Sequence, residues 1–458
     1  MAADPRSPSF AALEPHVGQV VTAGSEGYDE ARERITWNKR LDKARAPAAI
    51  VVARSLGEVQ ATIRFANKHG LKVSPRGGGH NYNAVALREG SILLDLGCLD
   101  RIEMDAEART VWVGVGVLGG DLIEGLSEHG LGFPIGHCAD VALSGYVLSG
   151  GFGWNSGCWG PASANVEAIE MVLADGRTVI ATANDHPDLF WAARGAGCGF
   201  FAAVTAYKLR LHRLPDAACC WNASFPAASA PVLAPWLSEA VRDASQGAEI
   251  TCLVGPHQQS GEPAIIVRAS ATAATRGEAR AKIASFASPP EDAEPIDVPT
   301  CEDMRFADLT RLSATPSGKR VAADQLWSDA PAGDLLLAIH HLAGVPDKSS
   351  TANIFALGGN GHVALPPDER ASALSVGGGT GVGIYAMWDD PAHDARHFDW
   401  VRAVDAALAP FRTGRYVGEA SLTADSVRAA ECFTSGALDR LAALRGRYDP
   451  GGLFFSLP

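Results

Sequence analysis

The chain has 458 residues, enough for two or three domains, with 47% apolar and 20% charged residues, as in ordinary globular proteins. A formal net charge of −13 with no Lys/Arg block argues against nucleic acid or an anionic membrane surface as a partner. Nine cysteines without a C-x-x-C pair point to neither a disulfide framework nor a zinc site, so no metal is expected, and no run is long enough to span a membrane.

The amino terminus, Met-Ala-Ala-Asp-Pro-Arg-Ser-Pro, lacks the basic-then-apolar pattern of a signal peptide. Together with the cysteine usage this predicts a protein of the reducing cytoplasm. Residues 49–53 (Ala-Ile-Val-Val-Ala) read as a buried strand. Ser55 and Glu58 form a capping box that opens a helix with Val59, Ile63 and Ala66 on one face, closed by Gly70.

A strand at Val73 then leads into Arg76-Gly77-Gly78-Gly79-His80-Asn81. Consecutive glycines let backbone N–H groups converge on one point, an anion nest that side chains do not obstruct. Arg76 adds a charge suited to a pyrophosphate, and His80 places a nucleophilic nitrogen beside the nest. Strands follow at 91–95 and 111–115, so strand and helix alternate as in an α+β or α/β domain.

Gly114-Val115-Gly116-Val117-Leu118-Gly119 matches the G-x-G-x-x-G of a dinucleotide fold, with Asp140 near the place of a ribose-binding acid. It follows several strands rather than the first one, and no second such unit comes after it. The better reading is a tight strand-to-helix turn. Residues 132–153 then repeat small side chains, as a loop approaching a large flat ligand requires.

Two stretches together, Arg76–His80 and Phe133-Pro134-Ile135-Gly136-His137-Cys138-Ala139-Asp140-Val141 ending in Gly150-Gly151-Phe152-Gly153, carry a resemblance. They resemble the vanillyl-alcohol oxidase superfamily, and within it the berberine bridge enzyme-like oxidases with a PCMH-type FAD-binding domain. The resemblance implies FAD attached twice, through His80 to the flavin 8α-methyl group and through Cys138 to ring carbon C6. It implies a flavin-contacting set of Arg76, Gly77, Gly78, Gly79, His80, Asn81, Cys138, Val141, Gly145, Ser149, Gly150, Gly151, Gly153, Val204 and Tyr448. Val141 falls where the family places a small residue that governs oxygen access.

This chain also departs from the family pattern. Tyr146 stands where many relatives carry a His near the flavin, and a Tyr there can still donate a hydrogen bond to reduced flavin. Ser149 replaces a glycine. Relatives read Tyr-x-Asn-Tyr where this chain has Tyr416-Val417-Gly418-Glu419, so the second Tyr, a base in several relatives, becomes Glu419. Glu419 is the expected catalytic base and Tyr416 its orienting partner. At Ala373-Leu374-Ser375-Val376 the basic pair of many relatives is missing.

Further along, 166–173 reads as a strand, Asp175-Gly176 as a hairpin turn and 187–194 as a helix. The alternation over 200–212 predicts a half-solvated antiparallel strand. From 214 to 410, strand-like segments (250–254, 263–269, 352–357, 382–388) alternate with helix-like ones (232–246, 275–287, 394–408), with Pro/Ala-rich connectors at 224–235 and 289–299. The expected architecture is a two-domain α+β fold. Residues 1–213 form the FAD-binding domain, 214–410 an antiparallel substrate domain backed by helices, and 411–458 a segment returning to the first.

The expected activity is that of a bicovalent FAD oxidase taking a hydride from an alcohol or similar C–H donor in a bulky or polar small molecule. Molecular oxygen is the expected acceptor and hydrogen peroxide the product. A dehydrogenase, an oxidative cyclase and a non-catalytic flavin-binding protein share the same motifs. No motif sets the oligomeric state.

Overall fold

The computed structural model describes residues 9–313, 316–344, 347–359, 371–422 and 427–457. The amino-terminal octapeptide read above lies outside them. Among the described residues no helix is long and apolar enough to cross a membrane.

Ala49–Val52 is buried at every position, which suits a strand covered on both faces. It lies in a four-stranded sheet ordered Gln19–Thr22, Ala49–Val52, Ile92–Asp95, Val73–Arg76, with the first pairing antiparallel and the other two parallel. The crossover helix Leu56–His69 has Ser55 as its N-cap and Gly70 in the left-handed region (φ 66°) as its C-cap. The box is only half closed. Glu58 turns its carboxylate to the N–H groups of Gly18 (2.8 Å) and Arg54 (3.0 Å). It thereby ties the first strand's entry to the helix.

A second sheet is antiparallel, ordered Ile102–Asp105, Thr110–Gly114, Ala202–Arg210, Val166–Leu173, Thr178–Ala181. Ala202–Arg210 is its central strand and is buried on both faces from Ala202 to Tyr207. The half-solvated strand expected here is therefore confined to its end, at Lys208 and Arg210. The Gly114–Gly119 stretch is a packing turn: a Cβ at Gly114 would stand 2.1 Å from the Leu99 carbonyl, and one at Gly116 2.3 Å from that of Gly97.

The third sheet has eight antiparallel strands: Thr300–Met304, Ala217–Pro226, Pro263–Ala273, Ala248–Pro256, Thr351–Leu357, Thr380–Trp388, Arg320–Ser328 and Arg412–Gly414, in that order. Helices Ala230–Asp243, Ala332–Ile339 and Asp394–Leu408 cover one face, with Leu233, Leu336 and Val404 fully buried against Ile250, Cys252 and Val382. The supposed connector at 224–235 is the end of a strand and the start of a helix that tolerates Pro235. Pro and Ala content hid regular structure there.

The tail leaves this sheet only after Gly414. Val417, Ala420, Leu422, Phe433, Leu453 and Phe454 then belong to the core that holds the first two sheets, and the Val73 N–H donates to the Leu453 carbonyl (2.9 Å). The crossing point is fastened by charge. Arg415, 2% exposed, contacts Asp324 (3.1 Å), Asp405 (2.9 Å) and Glu431, while Arg428 reaches Asp324 and Asp405. Buried charges persist only when paired this fully. Arg415→Ala leaves Asp324 and Asp405 to Arg428 and Glu431 to Arg412, removes the cation buried among all three, and should cost about 3–5 kcal/mol in a urea titration. Arg415→Lys, which keeps the charge but not the planar fork, should recover only part of that loss.

Candidate active site

The loop at Arg76–Asn81 takes its shape from what the glycines omit. A Cβ on Gly77 would lie 2.0 Å from Ser144 Oγ, and one on Gly78 2.6 Å from the Ala142 Cβ. Gly79 has φ +72°, and its Cβ would meet the Ile35 carbonyl at 2.3 Å. The glycine turn thus presses directly on the start of helix Leu143–Leu148. Arg76 frames the turn through Asp95 (2.7 Å), the Gly78 carbonyl (2.7 Å) and the Ile35 carbonyl (3.1 Å). Three of its five N–H groups hold the loop in this way.

At the end of the loop His80 stacks on Trp37, ring centroids 4.9 Å apart, with Tyr82 edge-on at 5.9 Å. Its Nε2 is buried and lies 3.4 Å from Asp140 Oδ1, an ion-pair distance without hydrogen-bond alignment. Cys138 completes the group: ligand atoms of His80, Cys138 and Asp140 all fall within 4.8 Å of one another. Burial pulls the imidazole pKa down, but Asp140 and Cys138 outweigh it and push it up to about 10. Asp140 is correspondingly held below the usual carboxylate range by His80. The Cys138 thiol also donates to the Ser313 carbonyl (2.9 Å).

The 145–153 stretch is the floor of the site. Gly145 is exposed, and a Cβ there would meet open space. Gly150 (φ +113°) and Gly151 (φ +76°) carry the chain through a left-handed turn, and Gly153 approaches the Ile135 carbonyl so closely that a Cβ would lie 1.9 Å away. Ser149 is buried beneath this turn and supports it, its N–H donating to the Gly145 carbonyl (3.0 Å). Val141 packs on Gly136 and accepts the Gly119 N–H (2.9 Å) through its carbonyl.

Opposite stands the tail segment. Asn81 donates to the Gly418 carbonyl (3.0 Å), and Asn83 to those of Glu419 (3.0 Å) and Ala420 (3.2 Å). Glu419 is half-buried and accepts the Tyr385 hydroxyl at 2.6 Å. Burial raises its carboxyl above 4.5, against the lowering effect of Tyr385, His137 and His80.

Residues 47–182 match the family model described as an FAD binding domain. Among curated relatives, an FAD-linked oxidoreductase of Aspergillus niger is 36% identical over 211 residues, 45% of this chain and 38% of that protein. The berberine bridge enzyme-like protein 23 of Arabidopsis thaliana is 34% identical over 185 residues, 39% of this chain and 35% of that one. A solved berberine bridge enzyme-like structure from Physcomitrella patens superposes over 97% of this chain and 98% of its own, with TM-score 0.83 and 19% identity. The chain therefore carries an FAD binding domain at residues 47–182 and shares the fold of that berberine bridge enzyme-like structure. Its aligned stretches span well under half the length of the two curated relatives.

Within this site, the structure gathers most of the residues expected from sequence but redistributes their tasks. Tyr146 donates its hydroxyl to the Pro134 carbonyl (2.7 Å) and packs against Gly151 and Gly153, so its one proton braces the floor instead of facing a ligand. Tyr416 accepts the Gly151 N–H (3.2 Å) and does not orient the Glu419 carboxylate; Tyr385 does. Tyr448 is bonded to Asp188 (2.9 Å) and stacked on Phe201, anchoring the tail away from the glycine turn. Val204 is a buried residue of the second sheet, beside a bulge.

Sequence reasoning missed four contributors: Tyr385, His137, Glu249 and the pairing of Asp140 with His80. Tyr385 lay in the 382–388 segment read only as strand-like, and His137 was visible as the residue before Cys138. Glu249 gave no signal at all. It meets His137 Nε2 only because the Ala248–Pro256 strand lies over the 132–153 segment.

Proposed function

We propose that this protein is an FAD-dependent oxidoreductase that carries its flavin on both His80 and Cys138 and oxidises an alcohol or amine with dioxygen as acceptor. The observation that carries the reading is the buried, unbonded Nε2 of His80 beside Cys138 and Asp140, at the end of a glycine cradle. The flavin 8α carbon and C6 lie on one edge of the flavin benzene ring, so a nitrogen and a sulfur this close together suit both. Open space above Gly145 fits the approach of a flat ring system.

FAD supplies a hydride acceptor for a carbon bearing O–H or N–H. The protein must hold that carbon in place and remove the proton. Glu419 accepts the proton, and Tyr385 keeps the carboxylate oriented. Asn81 and Asn83 hold the Glu419 backbone against the glycine loop, so base and cradle move as one body.

Acid-precipitated protein should stay yellow and its intact mass should exceed the chain by one FAD. His80→Ala or Cys138→Ala alone should retain covalent flavin, and the double variant should release it; a colourless wild-type pellet would end the claim. Glu419→Gln should slow anaerobic flavin reduction by about 10²–10⁴ with flavin content unchanged. Because burial raises the Glu419 pKa, reduction should accelerate with pH along a limb lying above pH 4.5, and that limb should vanish in the variant. Turnover in air should release hydrogen peroxide. Val141→Leu should slow reoxidation more than reduction, whereas reduced wild-type enzyme that persists in air would make the protein a dehydrogenase.

A further inference from the structure

His80, Cys138 and Asp140 bring three kinds of metal ligand to one place. Their ligand atoms lie within 4.8 Å of one another, and among the described residues no other group of three or more His, Cys, Asp or Glu side chains converges this closely. The imidazole–carboxylate contacts elsewhere, His137–Glu249 and His257–Asp297, bring only two such groups together. Distance in the chain hides the cluster, because His80 and Cys138 belong to separate motifs.

The imidazole is held by packing, stacked on Trp37 with Tyr82 edge-on. Its Nε2 is buried without a hydrogen-bond partner and lies 3.4 Å from Asp140 Oδ1. Around a tetrahedral zinc ion, with nitrogen and oxygen at about 2.0–2.1 Å and sulfur at about 2.3 Å, ligand atoms stand about 3.3–3.6 Å apart. The nitrogen–oxygen separation already matches, and a shift on the order of 1 Å closes the rest of the group. Asp140, its side chain 56% exposed, is free to make that shift and leaves a cation a way in from solvent. Cys138 is buried and donates to the Ser313 carbonyl (2.9 Å), a bond the thiol gives up when it ionises. Imidazole, thiolate and carboxylate together suit zinc, whereas calcium and magnesium ask for oxygen ligands alone. Three protein ligands leave the fourth position to water.

We propose that, before flavin is attached, His80, Cys138 and Asp140 bind a zinc ion, and that zinc and flavin exclude each other. The cation takes the Nε2 lone pair and the Cys138 thiolate, the two nucleophiles that attachment requires. Zinc therefore holds the chain without flavin until a chelator or a stronger zinc acceptor removes it. The cation site rests on the three side chains alone, and the exclusion rests on the double attachment proposed above.

The test uses the full chain produced without riboflavin, with Co²⁺ as the probe and Zn²⁺ as its competitor. Wild type should develop thiolate-to-cobalt charge-transfer absorption in the near ultraviolet, and Zn²⁺ should abolish it. Cys138→Ser should lack the absorption. His80→Ala and Asp140→Asn should each weaken Zn²⁺ binding about tenfold or more, since each removes a bond made to a charge. Zn²⁺ should also raise the melting temperature of wild type and leave that of the His80→Ala/Cys138→Ala double variant unmoved. Absorption that survives Cys138→Ser arises from another cysteine and overturns the site. A wild-type chain that Zn²⁺ neither stabilises nor folds overturns it equally. With FAD and air, covalent flavin should accumulate in the metal-free chain, stop when Zn²⁺ is bound and resume on adding EDTA. Attachment at an unchanged rate with Zn²⁺ bound overturns the exclusion. A chain that shows the cobalt absorption but never retains FAD supports the cation site and overturns the double attachment instead.

Discussion

The contact between the Gly77–Gly79 backbone and the start of helix Leu143–Leu148 is the constraint on which the site depends. No side chain fits between the two: Cβ atoms at Gly77 and Gly78 would overlap Ser144 and Ala142. Closing that gap brings His80 next to Cys138 and Asp140, residues about sixty positions away in the chain. Arg76 holds the turn by its own carbonyl, by Asp95 and by Ile35, so the loop is pinned before any ligand arrives. Preorganisation of this kind lowers the cost of ordering a cradle around a cofactor.

A second constraint comes from the returning tail. After Gly414 the chain leaves the large sheet and enters the first core, and the charge network around Arg415 fastens the place where it turns. Asn81 and Asn83 then bond the backbone of 418–420. The base candidate is thus held from both bodies, through its backbone by the glycine loop and through its carboxylate by Tyr385 of the sheet. Burial raises the Glu419 pKa, while the Tyr385 hydroxyl and nearby imidazoles restrain the rise.

The large sheet completes the picture, with helices Ala230–Asp243, Ala332–Ile339 and Asp394–Leu408 on one face and the 132–153 segment against the other. Its covered face is an ordinary apolar core. Its other face mixes aromatic rings with buried polar atoms that have no hydrogen-bond partner among the described residues. That division follows from strand alternation, which sends successive side chains to opposite faces. The same strand therefore serves stability through Ile250 and Cys252 and faces the site through Glu249 and Thr251.

Local order was legible in the sequence wherever short-range physics sets it. The Ser55-capped helix, the buried strand at 49–52, the Asp175-Gly176 hairpin and the glycine turn each depend on neighbouring residues alone. The pairing of Arg76–His80 with the Cys138 segment was legible because both motifs sit in contiguous runs. Partnerships between distant strands were not. That Tyr385 and not Tyr416 holds Glu419, that Glu249 meets His137, that Tyr146 spends its proton on the Pro134 carbonyl, and that Tyr448 serves Asp188 are all outcomes of how sheets stack. The sequence by itself determined the local elements named here and the glycine cradle. Tertiary structure alone decided which of them touch, because a hydrogen bond is set by a few tenths of an ångström across segments whose separation in the chain carries no such information.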